Sequence, residues 1–303
     1  MTPREPAVGT RESATGAIYD LGYRGYDGPR LGRPAAVATL FWASLRAAFG
    51  LKRSGRAKIV PWGLAALLVA PAGVSVAVAA LAPGAPQPFT YDDYLWGLRI
   101  LLAIFVAAQA PELVSSDQRY RVLSLYFSHA LQRSDYALAK LGALAAAAFG
   151  MALAPMLVLF IGRVLLAADV VKAFGDELEN LPQVIAAPLI YAIPMATLSL
   201  AIAAFTPRRA YATGAIIAVF IVGAAIGGIL GDAISSGPLG NLSQLLNPVV
   251  PIDGTRNWLV GNSIPDSPVS RTGFPLYVFG LEWLAIVLVG GTAVLWRYRR
   301  LAA

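Results

Sequence analysis

The sequence predicts an all-α integral membrane protein, with six transmembrane helices preceded by an amphipathic helix in the plane of the interface. Three observations predict it. Of 303 residues, 57% are hydrophobic and only 14% are charged, against about 25% charged in soluble domains, and the mean hydropathy is +0.63. Six apolar stretches reach the roughly 20 residues that cross a bilayer. The basic residues gather between alternate stretches instead of scattering along the chain.

Residues 1–33 form a polar, basic N-terminal segment. No apolar core of a signal peptide follows the start, so this segment is expected to stay in the cytoplasm. Its stretch IYDLGYRGYDGPRLGR mixes Tyr, Gly and Arg, as some nucleic-acid-binding segments do. It is short, single and tied to a membrane anchor. Tyr19, Tyr23 and Tyr26 are therefore assigned to packing under the bundle or onto a partner protein, and no nucleic acid is expected.

Residues 34–58 read as the connecting helix. In AAVATLFWASLRAAFGLKR (35–53), Val37, Leu40, Phe41, Leu45, Ala48 and Phe49 recur at helical spacing, while Arg46, Lys52 and Arg53 are polar. An apolar face on a basic helix suits the membrane surface. A seventh span here would carry the basic residues 1–33 to the other side.

Residues 59–303 hold the six spans, at about 60–82, 94–115, 136–166, 182–205, 210–231 and 273–296. The third is longer than a bilayer needs, so it projects or tilts, and Ser134 and Asp135 are placed to cap its start. Pro71, Pro155, Pro188 and Pro194 lie inside spans, which bundled membrane helices tolerate because neighbours satisfy the freed backbone groups. With the N-terminus inside, nineteen of the 24 Lys and Arg fall on inner segments. Outer connections hold Lys172, Arg256 and Arg271, together with Asp92, Asp93, Asp169, Asp176, Glu177 and Glu179. This asymmetry places both termini in the cytoplasm.

Several chemistries find no support. Cysteine is absent and histidine occurs once, at His129, so no thiol chemistry and no metal site are expected. The four lysines, Lys52, Lys58, Lys140 and Lys172, follow Leu51, Ala57, Ala139 and Val171, so none completes the Gly-Lys of a phosphate-binding loop. No nucleophile elbow, zinc helix or dinucleotide fingerprint occurs. Energy for active work would have to come from another subunit.

The charges singled out within spans are Arg99, Glu112, Arg163 and Glu282, with Lys140 counted in the inner segment that leads into span three. Arg99 and Arg163 lie near outer ends, where long side chains snorkel. Glu112 lies near the inner end of span two, within reach of a basic group in the segment that follows. Glu282 sits deep in span six, where a charge is costly. Either it pairs inside the bundle or it faces an aqueous path.

The segment between spans two and three, residues 116–133, carries Asp117, Arg119 and Arg121, then the apolar cluster Val122, Leu123, Leu125, Tyr126 and Phe127, then His129, Gln132 and Arg133. An apolar and aromatic knob with a charged rim is what a docking element needs. The same composition also suits a turn resting on headgroups.

PELVSSDQRYRVLSLYFSHALQRSDYALAKLGAL combines an acidic residue at the end of span two, an Arg-rich turn, a short Leu-rich helix and a polar-aromatic entry to span three. This arrangement resembles the permease subunits of ATP-binding-cassette transporters of the ABC-2 exporter type. The resemblance covers nearly the whole chain, and GAIYDLGYRGYDGPRLGR is similar to the opening of a subset of bacterial permeases in this group. It implies that residues 116–133 are a coupling helix fitting a groove on a cytosolic ATPase subunit. Asp117, Arg119, Tyr120, Arg121, Leu123, Leu125, Tyr126, Phe127 and Arg133 would lie at or near that contact. It implies two permeases, either two copies of this chain or this chain with a sister, and two ATPases that bind ATP and Mg. This chain would itself hold no cofactor and catalyse nothing, in the bacterial cell membrane. The outer loop, residues 232–272, would fold into short re-entrant helices, with Leu242, Leu245, Leu246, Val249 and Val250 dipping inward and Asn247–Pro248 as the break. A plain solvated loop is the other possibility.

A stand-alone secondary transporter or channel is the alternative function. No inverted repeat is evident and few charges lie in the membrane, both of which argue against it. An intramembrane enzyme lacks its residues, since no span carries His, Cys or an acid–base pair. The alanines of spans three and five would suit a lipophilic cargo, and bilayer lipids are expected contacts.

Overall fold

A computed structural model describes residues 28, 31–51, 54–82, 86–128, 131–233, 242–261 and 267–300. Most of the N-terminal segment (Tyr19, Tyr23 and Tyr26 included), Lys52, Arg53 and His129 lie outside the described residues. The helices are α1 (Arg33–Ala48), α2 (Gly55–Leu81), α3 (Tyr91–Arg119), α4 (Leu123–Phe127), α5 (Arg133–Leu166), α6 (Val170–Leu178) and α7 (Leu181–Phe205). Then α8 (Arg209–Ile217) runs through a π-turn (Ala218–Val222) into α9 (Gly223–Ala233), followed by α10 (Val250–Val260), α11 (Pro268–Thr272) and α12 (Leu276–Arg300). No strand occurs among the described residues. Six helical stretches are long and apolar enough to cross a membrane: α2, α3, α5, α7, the α8–α9 run and α12.

Helices α3, α5 and α7 form the centre, with α2, α8–α9 and α12 around them. Small residues make the α5–α7 contact close. Ala143, Ala147, Ala148 and Ala152 of α5 are fully buried, as are Ala187, Ala192 and Ala196 of α7, which lets backbones approach where lipid offers no hydrophobic driving force. The alanines of span three are thus spent on packing. Ala210, Ala215 and Ala218 of span five are exposed.

α1 lies against α5 with its expected apolar face inward. Leu40 and Ala48 are buried, and Val37, Phe41, Leu45 and Phe49 pack on the core. Arg33 donates two 2.7 Å hydrogen bonds to Asp135 at the start of α5. The turn into α2 requires Gly50, at φ +67°, because a Cβ there would lie 2.4 Å from the Ala57 carbonyl oxygen.

The bundle has two distinct ends. At the α4 end, Ser115 Oγ donates to the Thr206 carbonyl (2.9 Å) and Arg133 Nη1 to the Arg299 carbonyl (2.9 Å). At the opposite end, Tyr91 Oη donates to Glu177 Oε2 (2.9 Å). Here Thr90 Oγ1 caps α3 by accepting from the Asp93 N–H, with Asp92 and Asp93 in its first turn, a favourable placement against the helix dipole. α5 begins at Arg133 with Gln132 as its N-cap residue, so Ser134 lies inside the helix and is not its cap. Asp135 does cap it: as the third helical residue it accepts from the Gln132 N–H at 3.0 Å, while the Gln132 side chain accepts from the Asp135 N–H, a reciprocal capping box.

The described residues between the α8–α9 run and α12 fold back against the bundle. A 3₁₀ turn (Gln244–Leu246) ends at Asn247, whose Oδ1 accepts from the Val249 N–H at 3.0 Å and turns the chain into α10. α10 packs on α12 closely enough that a Cβ at Gly254 would lie 2.3 Å from Phe279 Cγ. It also reaches Tyr191 of α7, about 15 Å along that helix from Leu181 and about half the ~30 Å depth of a bilayer core.

Candidate functional site

α3 runs unbroken through Arg119, so residues 116–133 do not form one helix. Ser116 to Arg119 extend the stem, and only Leu123–Phe127 form a separate helix. Between them the chain reverses at Arg121, with φ +54°, a left-handed conformation that residues bearing a Cβ adopt rarely.

The inner face of this handle is fastened to three helices. Tyr126 and Phe127 pack on Tyr136 of α5, with ring centroids 5.6 and 6.1 Å away, and Tyr136 packs on Tyr298 of α12 at 5.0 Å. Asp117 Oδ2 accepts from Tyr136 Oη at 2.8 Å and meets Lys140 Nζ at 2.9 Å. Gln118 Nε2 donates to Tyr298 Oη and to the Ala204 carbonyl of α7, both at 3.0 Å. The Arg133 guanidinium covers the Phe127 ring at 5.7 Å. Burial pushes the Tyr126 hydroxyl pKa up, and the Asp117 carboxylate acts in the same direction. The hydrogen bonds to Asp135 hold Arg33 above its ordinary value.

The structure therefore divides the sequence-predicted residues in two. Asp117, Leu123, Tyr126, Phe127 and Arg133 turn inward and hold α4 on the bundle. Arg119, Tyr120, Arg121 and Leu125 turn outward, with Tyr120 71% and Leu125 65% exposed. The outward set offers an aromatic, an aliphatic and two cationic groups on a turn and short helix held against α5 and α12.

The intramembrane charges settle differently from their sequence reading. Glu112 pairs with Arg209 at the start of α8, Oε2 to Nη1 at 2.5 Å, a partner beyond residues 116–133 that the packing of the C-terminal half of α3 along α8 supplies. Arg99 and Arg163 do not simply extend to water. Arg99 Nε lies 3.9 Å from Asp253 Oδ2. Arg163 Nη1 lies 3.9 Å from Glu177 Oε1, with the guanidinium 4.2 Å above the Tyr91 ring. Glu282 sits at the margin of the buried face of α12, and its Oε2 is buried without a hydrogen-bond partner among the described residues.

A second polar cluster, at the α10 end, escaped the sequence reading. Asp253 is buried and accepts from the Tyr191 hydroxyl of α7. Arg256, 1% exposed, donates from Nη1 to the Asp92 carbonyl at 3.0 Å and lies 3.2 Å from Asp92 Oδ1. Its Nη2 donates to Asn257 Oδ1 at 2.7 Å. Gln183 of α7 also donates to Asp92. α10 is thereby tied to α3 and α7. The available signal was spacing: Asp253 and Arg256 are three residues apart in an apolar helix and so share a face. Among the described residues, no group of three His, Asp or Glu is placed to hold a metal ion. No known protein family and no curated protein matches the chain.

Proposed function

We propose that this chain is the membrane subunit of an ATP-driven exporter, moved by a separate cytosolic ATPase through the outward face of α4. The reading places the α4 end and both termini in the cytoplasm of a bacterial cell. It takes a second permease, a copy or a sister chain, to complete the path, and leaves ATP and Mg to the partner. The observation that carries it is the handle itself: exposed Tyr120, Arg121 and Leu125 on a mount braced by Asp117, Tyr136, Lys140 and Tyr298. A docking element that bent under load would transmit nothing. One held by a shared carboxylate and an aromatic stack moves its stem.

The stem leads to the far end. α3 spans 29 residues, about 43 Å, and carries the α4 turn at one end and the partners of α10, Asp92 and Arg99, at the other. A shift of α3 imposed at α4 thus acts directly on the contacts that hold α10 among the spans. Such coupling needs two packed arrangements of the same helices.

Co-purification from the native host, followed by ATPase assay, tests the proposal. A spanless ATPase should accompany the wild-type chain and be lost from Tyr120→Ala/Leu125→Ala. Its retention by that variant at equal yield would refute the docking face. The Glu282 carboxyl, with one oxygen unpartnered among the described residues, favours a second reading, an ion- or proton-coupled transporter working alone. That reading predicts transport without any ATPase and its loss in Glu282→Gln.

A further inference from the structure

An open groove of about 1120 Å³ runs between α3 and α8 at the α4 end. Its polarity is ordered along its length. The mouth carries Arg119, Arg208 and Arg209, and the wall continues over Ala108, Gly214 and Ile217. Arg119 closes one membrane-length helix and Arg209 opens another. The three guanidiniums therefore stand at the level where headgroups begin, and the apolar wall stands at the level of acyl chains.

Charge at the mouth is not balanced locally. Arg209 meets Glu112 but remains 62% exposed. Arg208 and Arg119 lie over their neighbouring rings, Tyr211 at 5.7 Å and Tyr120 at 5.9 Å. Both are exposed, and a guanidinium on a ring keeps its donors free for a planar anionic group. Among the described residues, Glu112 is the carboxylate that lines this end, in an adjoining cavity of about 220 Å³ shared with Arg119 and Arg209.

We propose that this groove is a binding site for one anionic phospholipid from the leaflet at the α4 end. Its phosphate sits among Arg119, Arg208 and Arg209, and an acyl chain lies along Ala108, Gly214 and Ile217. A zwitterionic lipid offers the same chain but brings its own cation to the mouth. A free phosphate offers the charge but leaves the apolar wall uncovered. The site follows from the groove alone and does not rest on the transport reading.

The test is native mass spectrometry of the full chain in detergent, titrated with phosphatidylglycerol, phosphatidylcholine or inorganic phosphate. One phosphatidylglycerol per chain should be retained well above phosphatidylcholine. Arg119→Ala/Arg208→Ala should weaken retention by about thirty-fold, whereas Arg300→Ala, a charge removed elsewhere at the same end, should not. Arg119→Lys/Arg208→Lys keeps the charge and should retain the lipid, and Ile217→Trp fills the groove and should expel it at unchanged charge. Three results overturn the proposal. One is equal retention of the two lipids. Another is displacement of phosphatidylglycerol by inorganic phosphate with Ile217→Trp silent, which assigns the mouth to a free anion. The third is a second copy covering the groove, seen as a change of oligomeric state in Ile217→Trp with lipid retention unchanged.

Discussion

Replacing Lys140 by methionine removes the cation that holds the handle while keeping most of the side-chain length. Lys140 Nζ lies 2.9 Å from Asp117 Oδ2, with side chains only 7% and 17% exposed. At that separation the Coulomb attraction is about 6 kcal/mol for an effective dielectric of roughly 20. Desolvation of both groups offsets a large part of it. Removing one partner of a fully buried pair costs about 3–5 kcal/mol. Asp117 keeps some exposure and the Tyr136 hydrogen bond at 2.8 Å, so the expected loss is about 2–3 kcal/mol. Asp117→Asn/Lys140→Met has no stranded charge and should recover most of that loss. The assay is a double-mutant cycle by chemical unfolding in detergent micelles, with hydrogen exchange over residues 117–136 reporting the handle directly. A Lys140→Met loss below about 0.5 kcal/mol, the range of ordinary surface changes, would refute the claim that this pair fastens α4.

Other perturbations probe the remaining contacts. Gly254→Ala puts a Cβ 2.3 Å from Phe279 Cγ and should cost about 1–3 kcal/mol by overpacking; unfolding midpoints read the loss, and Phe279→Ala in the same chain should relieve it. Arg256→Met strips Asp92 of its buried guanidinium, and because Asp92 is 27% exposed the expected loss is about 2–3 kcal/mol, with faster hydrogen exchange in α10 as the local sign. The raised Tyr126 pKa makes the folded chain hold this hydroxyl neutral. Its contribution is therefore complete below about pH 10 and falls as pH rises through the raised value, so Tyr126→Phe should lose stability less steeply than wild type between about pH 9 and pH 11.

Periodicity and composition made the spans readable, because length and apolarity are local properties. They also placed the buried face of α1, whose Leu40 and Ala48 repeat at two helical turns. At Asn247, whose Oδ1 accepts from the Val249 N–H, the chain turns into α10; the sequence reading placed a break there only through the family resemblance. Pairings across the bundle were not readable. Glu112 and Arg209 are far apart in sequence, and only the packing of α3 along α8 brings them within 2.5 Å. Asp253 reads as a loop acid until α10 is seated against Tyr191. Within residues 116–133, chemistry suggested a docking element, but the division into bracing and outward residues depends on the Arg121 reversal and on Tyr136, which lies beyond the segment.

In the proposed function the bundle is a conduit levered at α4 by a nucleotide-hydrolysing partner. Reconstitution in sealed vesicles tests that most directly, by following cargo movement with the purified chain alone, with its co-purifying ATPase, and with the ATPase plus Tyr120→Ala/Leu125→Ala. The account predicts ATP-dependent movement only in the second case. Equal movement by the chain alone, or undiminished ATP-dependent movement by the α4 variant, would contradict it.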